Sequence, residues 1–274
     1  MRIDFPFMFA LALATVAVGC TEQDASEIVD EESPALQTEG HGSGGTNGLS
    51  DDDFNPYRSQ IGYWATHFTL VTPGTNVVNP SIATTASPAA LLHVLKYVVA
   101  CTVPDATSVY VGLGQYPGKG HLAFGAQWLT GTLTRAQAGK LVACVAAHVN
   151  PYGYTVPLKF TGADIGNDNF RTSGIYDVPE ALWQGWIDLD YVPHFIVYPL
   201  PDVEAYCGYN LPTALGRRVC GRTPAECNLT IGNIEDCVPD LNGNYTCLGQ
   251  PAFQTTLQDS GIPDLYAYCT VVPW

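Results

Sequence analysis

Nine cysteines, six histidines and a group of tryptophans beside carboxylates hold most of the chemistry available to this 274-residue chain. Trp183 and Trp186 are followed closely by Asp188, Asp190 and Tyr191. Aromatic faces beside carboxylates suit a sugar ring, so Trp183, Trp186, Asp188 and Asp190 form a candidate ligand platform. Their three-residue spacing puts both indoles on one face of a helix, where packing into the core is the favoured role. Paired acids for glycoside hydrolysis would have to come from Glu180, Asp188 or Asp190, which only proximity to the tryptophans singles out. His93 and His148 would need a third ligand to hold zinc, and scattered histidines more often serve packing or hydrogen bonding.

The local signatures of familiar enzymes are missing. The sequence has no Gly-x-Ser-x-Gly and no His-Glu-x-x-His. The glycine-rich QYPGKGHLAFG is not a phosphate loop, because Lys119 is followed by Gly120 and His121. Asp164, Asn167, Asp168 and Asn169 are oxygen donors of the kind calcium takes, and also the usual makers of Asx turns, which is the favoured reading. No catalytic residue, metal or cofactor is assigned, and an enzyme is the less favoured class.

The elements that must position these side chains centre on Ser87 to Gly162. SPAALLHVLKYVVAC reads as a helix capped by Ser87, with Pro88 in the first helical position and Leu91, Leu92, Leu95, Val98 and Val99 as its apolar stripe. LTRAQAGKLVACVAAHVNP reads as a second helix, capped by Thr134 and stopped at Asn150 and Pro151, with Ala138, Leu141, Cys144, Val145 and His148 on its stripe. In TVPLKFTG, Val156, Leu158 and Phe160 alternate with polar residues, and Pro157 argues for a sheet edge. Strands are expected over IGYWATHFTLV, SVYVGLG, Phe195 to Tyr198, AFQTTLQ and LYAYCTVV, with a short helical turn from Asp177 and a hairpin turn at Asn242-Gly243.

With 46% hydrophobic residues the chain can build a sizeable core. The formal charge of −15 misleads, because ten of the 26 acids lie between Glu22 and Asp53. From Phe54 onward 15 acids face 10 bases. That is an ordinary soluble surface, with no basic patch for nucleic acid.

MRIDFPFMFALALATVAVGC reads as an export signal, with a basic start, an apolar run and small residues before Cys20. Ala17, Val18, Gly19 and Cys20 resemble the lipobox of bacterial lipoproteins, in which the cysteine is lipidated and becomes the mature N-terminus. Cysteine parity points the same way: without Cys20, eight cysteines remain, an even set for an oxidising compartment. Residues 1–19 are then the signal, and residues 20–53 the anchored cysteine with a disordered acidic tether. Residues 54–206 form an α+β domain, and residues 207–274 a disulfide-rich part packed on it.

The two helices carry Cys101 and Cys144, which are expected to pair with each other. If the helices run antiparallel, Tyr97 lies beside His148. The remaining cysteines, Cys207, Cys220, Cys227, Cys237, Cys247 and Cys269, then form bonds among themselves. The expected fold is α+β: two disulfide-linked helices on a mainly antiparallel sheet, followed by disulfide-rich loops and strands.

KYVVAC at 96–101, FGAQWLTGTLT at 124–134, LVACVAAHVNPYG at 141–153 and AYCGYNLPTALGRRVCG at 205–221 resemble an uncharacterised group of secreted, cysteine-rich lipoproteins of the myxobacterial type. That resemblance implies location and architecture and supplies no site residues. The sequence thus points to an exported cell-envelope lipoprotein of the outer membrane, with a binding or structural role. Its expected partners are the membrane, through the lipid, and envelope proteins or polysaccharide. A secreted hydrolase, carbohydrate-active and with a site assembled from distant residues, is the alternative. Two acyl chains or more are what stable attachment requires. Cys20→Ala is therefore expected to move the protein from the membrane to the soluble fraction on cell fractionation; a wild type found soluble with an unmodified N-terminus would contradict lipidation.

Overall fold

Among the described residues four α-helices precede the main sheet: α1 (Asp51–Phe54), α2 (Arg58–His67), α3 (Ala89–Thr102) and α4 (Arg135–Ala147). The structure is a computed structural model that describes residues 48–150, 158–166, 176–201, 215–216, 219–220 and 228–258. Between α3 and α4 lies a two-stranded hairpin, β1 (Ser108–Val111) and β2 (Gly114–Pro117). The larger sheet comprises β3 (Leu158–Thr161), β4 (Tyr176–Ile187), β5 (Pro193–Pro199), β6 (Leu229–Ile231), β7 (Cys237–Pro239), β8 (Tyr245–Cys247) and β9 (Gln250–Gln258). Its order is β6-β5-β4-β9-β8-β7, with β3 also beside β9, and every pairing except β5 with β6 is antiparallel. The fold is therefore α+β with a mainly antiparallel sheet, as the sequence leads one to expect. Among the described residues no helix is long and apolar enough to cross a membrane.

The two cysteine-bearing helices form where the periodicity places them. Thr134 caps α4: its hydroxyl accepts from the Gln137 N–H, and the Gln137 side chain accepts from the Thr134 N–H, so two orphan donors are satisfied reciprocally. Cys101 and Cys144 are bonded, with Cα atoms 6.2 Å apart. Tyr97, one turn before Cys101, lies 5.0 Å from His148, one turn after Cys144, so the helices run antiparallel about the bond. Ser87 differs from its expected role. The capping position falls to Pro88, which has no side-chain donor or acceptor, and the Ser87 hydroxyl accepts from Thr84 N–H instead.

The helices pack on the sheet through glycine. An added Cβ on Gly139 of α4 would lie 2.3 Å from Trp186 Cα, and one on Gly185 of β4 would lie 2.3 Å from the Gly139 oxygen. Helix and strand backbones therefore touch where these two residues cross. Gly62 of α2 makes a similar approach, since its Cβ would meet the end of Ile187 at 2.4 Å. The large core lies on this side, with Ala181, Trp183 and Phe195 from the sheet against Val98, Leu141, Val142 and Val145 from α3 and α4. The other side holds a smaller core of Leu182, Tyr198, Leu200, Cys247 and Ala252.

Several expectations are corrected here. IGYWATHFTLV is largely helical: Ile61, Gly62, Trp64 and Ala65 are buried at the spacing of a helix face, which overrides a weak alternation. The helical turn expected from Asp177 is instead the long strand β4, because pairing with β5 on one side and β9 on the other outweighs the helix formers in PEALWQ. The fold begins before Phe54, the boundary expected from the sequence. Leu49 is fully buried and bridges to Val149, Ser50 caps α1, and the Asp53 carboxylate is bonded to His93. The signal, Cys20, the tether up to residue 47 and the strand expected over 265–272 lie outside the described residues.

Gly139 supplies a direct test of the packing. Ala would gain about 1 kcal/mol in helix propensity, but its methyl has to displace backbone rather than a flexible side chain, and overpacking costs about 1–3 kcal/mol or more. Gly139→Ala is expected to lower the urea midpoint, whereas Gly131→Ala, whose Cβ would meet nothing closer than 3.8 Å, is expected to leave it unchanged. Equal midpoints for the two variants would contradict the backbone contact.

Candidate functional site

The hairpin that joins β4 to β5 gathers the exposed chemistry. Trp186 and His194 are directly opposed across the two strands, and their rings stack 5.2 Å apart at 11°. His194 Nε2 donates to Asp188 Oδ2 at 3.0 Å, while Asp188 Oδ1 accepts from the backbone N–H groups of Asp190 and Val192, both at 2.9 Å. The turn closes with Tyr191 in the left-handed region, φ 62°. The His194 hydrogen bond first, and then that from Val192 N–H, holds the Asp188 carboxyl below its ordinary value, so it is an anion at neutral pH. The result is a flat indole, 43% exposed, held against an imidazole that an ionised carboxylate orients.

The expected platform is thus divided. Trp183 and Trp186 sit on a strand, where residues an odd number apart face opposite sides. Trp183 points into the core, fully buried, with its indole N–H donating to Thr255 Oγ1 at 2.9 Å and its ring stacked on Phe253 at 6.5 Å. Asp190 contributes its backbone N–H to the turn. The partner that the sequence did not disclose is His194, which the alternation of β5 puts opposite Trp186.

A second aromatic group lies on the helix side of the same tip. Tyr63 stacks on His67 at 4.1 Å, and Tyr191 meets both rings edge-on. His67 Nδ1–H donates to the Tyr63 carbonyl at 2.8 Å, which leaves Nε2 to accept from the Tyr191 hydroxyl at 3.3 Å. The Arg135 guanidinium lies 5.4 Å from the Tyr191 ring. These contacts hold the turn onto α2 and the start of α4.

The paired acids do not come together. Glu180 is fully buried and accepts from Thr255 Oγ1 at 2.7 Å. Asp188 lies eight residues further along an extended strand, roughly 25 Å away, whereas glycosidase carboxyl pairs stand about 5–9.5 Å apart. Asp188 and Asp190 are close, but Asp188 is already committed to the turn and to His194.

The histidines of the two linked helices form a row. Asp53 accepts from His93 Nδ1 at 2.8 Å, and this bond is the main cause that lowers its pKa. His93 and His148 contact the Tyr97 ring at 5.8 and 5.0 Å, so Tyr97 joins them. His148 in turn lies 5.7 Å from His121, which packs on Phe160 at 4.6 Å. A ring nitrogen of His148 and the sulfurs of Cys101 and Cys144 lie within 4.8 Å of one another, with both sulfurs bonded to each other. Asp164, considered above for calcium, pairs with Lys140. Asn167, Asp168 and Asn169 lie outside the described residues.

Of the C-terminal cysteines, Cys237 and Cys247 are bonded across the β7–β8 hairpin, and Cys220 is disulfide-bonded as well. Cys207, Cys227 and Cys269 lie outside the described residues. The chain matches no protein-family model and no curated protein, and no solved structure matches it.

Burial, and after it the charge of Lys119, pushes the His121 imidazole down to about 4. Its folded pKa is below that of the unfolded chain, so its contribution to stability is full above about pH 6.5 and is lost as the pH falls through 4. The shift corresponds to about 3 kcal/mol. Urea midpoints of the wild type are expected to fall across this window, and His121→Asn is expected to flatten the fall. Parallel profiles for the two proteins would exclude His121 as the cause.

Proposed function

We propose that this is an exported, lipid-anchored envelope protein whose β4–β5 tip binds neutral polysaccharide. The observation that carries the binding reading is Trp186: an exposed indole on a paired strand, stacked on His194, whose Nε2 donates to the Asp188 carboxylate. Apolar ring faces stack on sugar C–H groups, and the exposed face of Trp186 offers such a surface. The charges of Asp188 and Asp190 repel uronates and phosphates, which favours an uncharged glycan. The shelf costs little entropy to offer, because the strand pairing and the Asp188 bond already fix both rings.

Export and anchoring rest on other support. The described cysteines that fall after Cys20 are in disulfides, which persist in oxidising compartments. Pairing of the remaining C-terminal cysteines leaves Cys20 as the odd one, the residue the lipobox-like stretch marks for acylation. The resemblance to secreted lipoproteins of the myxobacterial type belongs to the same reading.

Affinity electrophoresis in gels containing a neutral β-glucan tests the binding claim. Retardation of the wild type is expected, with Trp186→Ala weakened by at least about tenfold, equivalent to about 1.4 kcal/mol. Tyr63→Ala, on the opposite side of the sheet, should retain binding. A Trp186→Ala protein retarded as strongly as the wild type would remove the shelf from the account.

A further inference from the structure

We propose that reduction of the Cys101–Cys144 bond converts it into a zinc site in which both sulfurs and His148 are ligands. The three donor atoms already lie within 4.8 Å of one another. His148, the residue that caps the C-terminus of α4, follows Cys144 by one turn, so they share a face, and Cys101 is presented to that face from the end of α3. Zinc with Zn–S of about 2.3 Å and Zn–N of about 2.0 Å holds its donors roughly 3.3–3.8 Å apart in a tetrahedron. With Cα atoms 6.2 Å apart, rotation of the two cysteine side chains provides that spacing without moving either helix.

Both cysteines are fully buried, so zinc has to displace the protons of the released thiols to bind, and the nearby ring nitrogen of His148 supplies a third donor that favours it. His148 is partly exposed, so the ion enters from its side. His121 is close by for the fourth position, its ring 5.7 Å from that of His148 and its loop tied to α3 by Leu122 N–H donating to the Cys101 oxygen at 2.9 Å.

The reaction balances with a dithiol of the protein oxidoreductase class as reductant. It passes two electrons and two protons to the Cys101–Cys144 bond, giving two thiols, and leaves as its own disulfide. Zinc ion then replaces the two thiol protons, which go to solvent. The α3–α4 pair is thus held by a covalent bond in oxidising surroundings and by a metal in reducing ones.

The test uses the full chain, reduced with a phosphine, loaded with zinc and freed of loose ion by gel filtration. Because other cysteines are reduced as well, the readout is the difference between variants, measured as bound zinc and, after replacement by cobalt, as thiolate-to-metal absorption. The wild type should retain about one ion more than His148→Asn. The Cys101→Ser, Cys144→Ser double variant should show the same loss, and Cys237→Ser, Cys247→Ser should keep that ion. The oxidised wild type should bind none at this site. Thermal melting of the oxidised His148→Asn protein verifies its fold; if that melt is disturbed, His148→Cys supplies the second test and should restore the ion. Equal zinc in wild type and in the Cys101→Ser, Cys144→Ser variant would overturn the proposal, as would a reduced wild type that retains no zinc.

Discussion

The contact between the backbones of Gly139 and Gly185 is the constraint on which the remaining arrangement depends. A side chain on either residue would hold α4 away from β4. With both absent, Leu141, Val142 and Val145 reach the sheet and the main core closes beneath the helix. Close packing makes such a contact all or none, since interiors have little room to yield. α2 and α3 are placed with reference to the same helix and strand. α2 fits Gly62 over Ile187 at the end of the same strand, and α3 is fastened to α4 by the Cys101–Cys144 bond. That bond spans 43 residues of sequence, for which the chain-entropy account gives on the order of 4 kcal/mol, a large share of a domain's stability.

Fixing β4 on its helix side determines what it shows on the other. Leu182 and Gln184 lie under the β7–β8–β9 portion of the sheet, where the Gln184 amide donates to the Cys247 and Gln250 oxygens at 2.9 and 2.7 Å and accepts from the Tyr198 hydroxyl at 2.9 Å. Such a buried amide is stabilising because each donor and acceptor is met. The next residue on that face is Trp186, beyond the cover, which makes it a surface shelf. The Cys237–Cys247 bond braces the hairpin that provides the cover. Core packing and shelf exposure are therefore two consequences of one strand's alternation.

Much of the helix pair was legible in the sequence because its signals are local. The Thr134 cap, the three- and four-residue stripes, and the single pair of cysteines between Phe54 and Tyr206 lead to α3, α4, their bond and the Tyr97–His148 contact. The Asn242-Gly243 turn was legible too, since Gly243 with φ 80° serves the hairpin loop. β4 was not, because YDVPEALWQGWI carries helix formers and becomes a strand only through partners far away in the chain. The error in the tryptophan platform follows from that misreading, since a helix puts Trp183 with Trp186 and a strand separates them. Leu49 was concealed for another reason: one buried leucine and a carboxylate bonded to His93 carry too little compositional signal to distinguish the fold from a tether. His121 sits in a glycine-rich loop with no periodicity, and its neighbours are assembled from three other elements.

The central claim, that β4 displays Trp186 as the glycan-binding surface, is tested most directly by tryptophan emission. Trp64, Trp128 and Trp183 are buried while Trp186 is exposed, so the wild type minus Trp186→Phe difference spectrum isolates the shelf. During titration with a neutral β-glucan, that difference spectrum should move to shorter wavelength and lose its accessibility to iodide. A difference spectrum unchanged at saturating glycan would contradict the account.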